Sequence, residues 1–210
     1  MKTREEALSL LYEWISSDSL RKHCLAVAFS MEEYAEKFIA ERKLSDNIIN
    51  KNIIKVNLSE KEKQEIIDNF WICGLMHDFD WERCPIMDKH PSVGSEELKK
   101  LGYPTEIIDA IMGHNYHNPN KVERKTIMAK TLFAVDELSG LIVALAKVRQ
   151  GNFDGMTAES VEKAMKKKEF AKAINRDDIE LGISELNIDR KKHFETVIAA
   201  LRNNKKELGF

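Results

Sequence analysis

The alternation of apolar and polar positions follows a helical period along almost the whole chain, broken by only four prolines and nine glycines. Residues 3–16 read as a first amphipathic helix, and a second runs from Asp18 to Arg42. Ser59 followed three residues later by Glu62 is a capping-box pattern. It predicts a helix opening there and running to Met76 or His77. After a loop containing Cys84-Pro85, short helices are predicted from His90-Pro91 to Gly102 and from Pro104 to His114. Beyond the loop YHNPN lies the longest apolar stretch, 122–149. Amphipathic helices follow over 157–168, 177–186 and 188–207. The segment 43–58 stands apart: rich in Asn and Ile, with no helical face, it reads as a small hairpin or an insertion. The expected fold is therefore all-α. A helical core over 1–150 is followed by a C-terminal helical cap over 151–210, with the boundary at Gly151–Gly155.

Against this pattern, a few ionisable residues occupy positions where core residues belong. His23 shares a face with Leu20 and Val27, and Asp136 shares one with Leu132 and Val143. A buried polar group without a partner costs on the order of 2–7 kcal/mol. Each therefore implies a compensating partner, a metal ion or a buried countercharge such as arginine. A satisfied core histidine is the ordinary alternative for His23. The third helix ends FWICGLMHDF, with apolar residues running up to the pair His77-Asp78. Adjacent residues project about 100° apart on a helix, so both can reach one ion only where the helix ends. Imidazole with carboxylate suits iron, manganese, zinc or cobalt. His193, inside the charged stretch DRKKHFE, reads as a surface residue.

Composition narrows the choice. Hydrophobic residues make up 43% of the 210-residue chain, enough for a core, and the net charge of -2 gives no basic face for nucleic acid. Three widely spaced cysteines, Cys24, Cys73 and Cys84, form no CxxC pair, which favours a reducing, cytoplasmic setting over a disulfide framework. The charged N-terminal stretch MKTREEALSLLYEW does not read as a signal peptide, and no stretch nears the roughly 20 apolar residues that span a bilayer.

The order His23, His77-Asp78, Asp136 resembles the H…HD…D signature of the HD superfamily of metal-dependent phosphohydrolases. The blocks GLMHDFDWE, HPSVGSEELKKLGYPTEIIDAIMGHN, AVDELSGLIVALAKVR and KKKEFAKAINRDDI are similar to those of its HDIG-type predicted hydrolases. The resemblance implies an HD-domain-like helical bundle in which His23, His77, Asp78 and Asp136 bind a first divalent transition metal. His90 and His114 would hold a second, with Asp78 as the bridge. His117 is a possible further ligand or substrate contact. Some two-metal relatives carry adjacent histidines where this chain has His114-Asn115.

The implied reaction is hydrolysis of a phosphate ester or anhydride by metal-activated hydroxide, with a small phosphate or nucleotide-like substrate. His77 and Asp78 would be central to catalysis, and Asp80 would orient a ligand, shuttle a proton or simply cap the loop. Lys89, Arg149, Lys168 and Arg176 are the candidate phosphate-binding cations. The same ligand set also fits a mixed-valent diiron oxygenase, and a non-catalytic nucleotide-binding regulatory module is the third reading. Single-chain patterns leave monomer and homodimer open.

Overall fold

The computed structural model describes residues 2–41, 58–86, 88–115, 118–119 and 122–210. The segment read as a hairpin or insertion falls outside these residues over 43–57, as does His117. The described residues form nine α-helices and no strand. They are α1 (Arg4–Trp14), α2 (Asp18–Ala40), α3 (Glu60–Met76), α4 (Ser92–Lys100), α5 (Thr105–His114), α6 (Ile127–Val148), α7 (Ala158–Lys166), α8 (Arg176–Leu186) and α9 (Arg190–Asn203). No helix among the described residues is long and apolar enough to cross a membrane.

Local chemistry accounts for where these helices begin. Thr3 and Glu6 close a capping box on α1, and Ser59 and Glu62 close the predicted one on α3. The longest apolar helix starts later than its pattern predicts, at Ile127 instead of 122. The Thr126 hydroxyl accepts the Ala129 N–H and sets the start there. Asn175 caps α8 by accepting the N–H groups of Asp177 and Asp178.

Two helices govern the placement of the rest. α2 and α3 pack most closely, and α6 lies across α2 while touching α5, α8 and α9. At the α2–α3 crossing a side chain on Gly74 could not be accommodated: its Cβ would sit 2.8 Å from the Ala28 Cα. Ser30 on α2 and Ser139 on α6 share a buried hydrogen bond of 2.9 Å. Around these crossings Leu11, Met31, Tyr34, Phe70, Leu132 and Leu138 are wholly buried in one apolar cluster, which continues to Leu208. Burial of this kind contributes about 1.5–3 kcal/mol per large apolar side chain.

His193 departs from its expected surface position. It is completely buried. α9 turns His193, Val197 and Leu201 inward at helical spacing, so the flanking charges of DRKKHFE lie on the other faces. Its Nε2–H donates to the Ala134 carbonyl at 3.0 Å, and its Nδ1 accepts the Tyr34 hydroxyl at 2.6 Å. This pins α9 to α2 and α6 together. Burial pushes the imidazole pKa down to about 4.

The direction of that shift gives a sign to the pH dependence. The unfolded chain protonates this histidine near 6.5, while the folded chain keeps it neutral to about 4. Its contribution is fully present above about 6.5 and is lost as the pH falls towards 4. In urea unfolding across this window, His193→Gln is expected to show a shallower loss of stability on acidification than the native chain. Identical slopes would contradict the buried neutral assignment.

Candidate metal centre

Five segments bring six side chains to one point. His23 comes from the second turn of α2. His77 and Asp78 follow directly on α3, where the helix gives way to turns. His90 lies just before α4, His114 ends α5, and Asp136 sits mid-way along α6. The sequence pattern marked all six residues, and the fold converges them.

The outer nitrogens of three imidazoles are already committed. His77 Nδ1–H donates to the Gly74 carbonyl at 2.7 Å and His114 Nδ1–H to the Ile111 carbonyl at 2.5 Å. His90 Nδ1–H donates to Asp80 Oδ1 at 2.6 Å. Carbonyls and carboxylates only accept, so in each neutral ring the lone pair is on Nε2 and faces inward. These inward nitrogens, together with Nε2 of His23, crowd one another. His23 and His77 Nε2 are 3.2 Å apart, and His90 and His114 Nε2 are 3.1 Å apart.

Asp78 divides its two oxygens between these pairs. Its Oδ2 lies 3.5 Å from His23 Nε2 and 3.4 Å from His77 Nε2. Its Oδ1 lies 3.1 Å from His90 Nε2 and 3.4 Å from His114 Nε2. Asp136 Oδ1 completes the first group at 3.1 Å from His23 and 3.3 Å from His77. Acceptors this close repel unless positive charge lies among them. Protonated imidazoles can supply it. Burial disfavours charge on His77, yet Asp78 and Asp136 hold its pKa well above the ordinary imidazole range. His90 is likewise raised to about 9 against its burial, by Asp78 and Asp80. The two carboxyls, partly buried, are held below their ordinary range by the neighbouring imidazoles. A metal ion can take the place of those protons, and triads drawn from these residues have donor atoms within 4.8 Å of one another. The donor set fits one borderline divalent ion among His23, His77, Asp78 and Asp136, and a second among Asp78, His90 and His114.

Asp80 supports this arrangement from behind. It is wholly buried, and its second oxygen accepts the Gly94 N–H at 2.7 Å. Both oxygens are therefore engaged, which suits a residue that fixes the tautomer and orientation of His90. Gly94 is the complement of that carboxylate: a Cβ there would meet Phe79 Cε1 at 2.6 Å and Asp80 Cγ at 2.9 Å. From the other side, Asn115 and Asn118 amides donate to the His90 carbonyl at 2.8 and 2.6 Å.

The cluster forms the floor of a groove of about 320 Å³. Trp81, Phe133, Glu137 and Asp178 line it as well. Burial, then the neighbouring Asp136, lifts the Glu137 carboxyl to about 7, while Glu137 accepts the Asn175 backbone N–H at 3.1 Å. These four residues were not singled out in the sequence; Glu137, a charge following Asp136 in an apolar helix, was the one signal available. The predicted phosphate-binding cations lie elsewhere. Lys89 and Lys168 are exposed and do not line the groove. Arg149 donates to the Asn152 and Asp154 carbonyls and closes the turn after α6. Arg176 donates to the carbonyls of Met165, Lys167, Phe170, Ala171 and Ile174, tying the end of α7 to the start of α8.

The sequence model of the HD domain matches residues 20–141, more than half of the chain, and spans all six clustered residues. No curated protein and no solved structure matches the chain significantly.

The support given by Asp80 is specific to one half of the cluster. Gly94→Ala is expected to displace Asp80 and weaken metal binding through His90 and His114 by about 10–100-fold. Binding through His23, His77 and Asp136 should persist. Metal titration should then resolve one tight and one weakened equivalent; two unchanged equivalents would remove Asp80 from this role.

Proposed function

This chain belongs to the HD domain family, and on that premise we propose that it is a metal-dependent phosphohydrolase. It cleaves a phosphate ester or anhydride of a small, nucleotide-like substrate. The observation that carries this reading is the division of Asp78 between two histidine pairs, His23 with His77 and His90 with His114. A carboxylate so placed suits a bridge between two cations.

On this reading His23, His77, Asp78 and Asp136 hold one ion, and Asp78, His90 and His114 hold the other. When bound, such a pair supplies Lewis acidity towards phosphoryl oxygens and lowers the pKa of water enough to provide hydroxide near neutral pH. The remaining work belongs to the chain. The Gly74 and Ile111 carbonyls and the Asp80 carboxylate keep three imidazoles in the tautomer that presents Nε2 inward. Trp81, only partly buried, lines the groove and offers apolar surface to a nucleobase or aryl group. A groove of about 320 Å³ is of a size for a small ester. Ala173 and Asp178 line it from beyond residue 150, in keeping with a division into a metal-binding core over 1–150 and a cap over 151–210.

Protein loaded with manganese, iron, cobalt or zinc should release phosphate from p-nitrophenyl phosphate and from nucleoside monophosphates. Asp78→Ala should reduce turnover by about a thousandfold or more, because several kcal/mol of charge stabilisation is removed with the ions. Far-ultraviolet circular dichroism of the variant should remain helical. Full activity in Asp78→Ala would refute the reading. Dioxygen consumption without phosphate release by the iron-loaded protein would replace it with an oxygenase.

A further inference from the structure

The groove over the cluster contains a mismatch with its proposed substrate. No lysine or arginine among the described residues lines it, whereas Glu137 and Asp178 do. Cations do occur immediately beside it, on the far side of His23. There a second cavity of about 230 Å³ runs between α2 and α6, with His23 as the wall it shares with the first. Ser19 and Lys22 line it from α2, Gly140, Val143, Ala144 and Lys147 from α6, and Leu208 from the C-terminal turn.

The helical register makes this cavity an extension of the metal centre. Gly140, Val143 and Lys147 follow Asp136 at four, seven and eleven positions, so they continue its face of α6. Ser19 precedes His23 by four positions and continues its face of α2. Eleven residues of helix correspond to about 16 Å, and helical side chains lean back towards the N-terminus, here towards Asp136. Val143 and Ala144 make part of the trough apolar, Lys147 lies far along α6, and Lys22 lies next to His23 on α2. Lys147 is exposed and makes no ion pair or hydrogen bond with the described residues. The Lys22 ammonium is 2.8 Å from the largely exposed Asp18 and lies beside Gly209 of the C-terminal turn.

We propose that this trough is the leaving-group subsite. It takes a phosphate ester whose leaving group is slim and apolar in its middle and carries a second anionic group, carboxylate or phosphate, at its far end. The reacting phosphate occupies the groove over the metal centre, the chain passes His23 and Lys22, and Lys147 holds the distal anion. This rests on the phosphohydrolase reading only for the position of the first phosphate. Specificity follows from the division of labour: the metal centre accepts any phosphoryl group, and Lys147 selects among leaving groups.

The test uses metal-loaded protein and non-hydrolysable ligands, so that binding is read without turnover. Alkylphosphonates of graded length, with and without a terminal carboxylate, are titrated by calorimetry. At the matching length the carboxylate should tighten binding by about tenfold, the scale of one charge-assisted contact. Lys147→Ala should abolish most of that advantage, Lys147→Glu should reverse it, and Lys147→Arg should retain it. Lys191→Ala, which removes the same charge from the outer face of α9, should keep it in full. If both series bind equally at every length, or if the advantage survives Lys147→Ala, the subsite is wrong while the metal centre stands. If neither series binds to protein that holds its metals, the phosphohydrolase reading fails and the subsite with it.

Discussion

Four imidazole nitrogens and two carboxylates meet in one small volume that is rich in acceptors. In the neutral tautomers fixed by the Gly74, Ile111 and Asp80 oxygens, the Nε2 lone pairs of His77, His114 and His90 face inward, with His90 and His114 Nε2 3.1 Å apart and His23 Nε2 3.2 Å from that of His77. Such an assembly concentrates lone pairs and negative charge in one place. It requires positive charge at its centre, from protons or from metal ions, and the surrounding fold acts to keep the acceptors in place against their repulsion.

The helix packing can be read as the means to that end. The approach of α2 to α3 at Gly74 and Ala28 sets the depth at which His23 meets His77. Gly94, by lacking a side chain and offering its N–H, leaves room for the one buried carboxylate that orients His90. His193 ties α9 to the Ala134 carbonyl, two residues before Asp136, and so braces the helix that carries the last carboxylate. Stability and site geometry share the same contacts, which is why the cluster residues come from five separate segments and still converge.

Much of this was legible in the sequence, for identifiable reasons. Capping residues such as Ser59 and Glu62 act locally, so the start of α3 could be placed from spacing alone. His23 and Asp136 stood out because charge on an apolar helical face demands a partner. What could not be read was anything set by the third dimension. The charges around His193 suggested a surface helix, because linear neighbours do not reveal which face of α9 turns inward. Arg149 and Arg176 were read as phosphate ligands, since no pattern indicates that a guanidinium is spent on carbonyls brought near by a turn. Membership of the HD domain family, over residues 20–141, connects the legible part to a chemistry without specifying a substrate. The groove and the lysine-ended trough beside it bear on that question, through features that only folding creates.

The central claim is that Asp78 stands between two cation sites. Anomalous diffraction from crystals of the manganese-loaded protein tests it most directly. The expected result is two peaks about 3.5–4 Å apart, one against His23, His77 and Asp136 and the other against His90 and His114, with an oxygen of Asp78 on each. A single peak bound by one histidine pair, or none at manganese concentrations that saturate the protein in solution, would contradict the account.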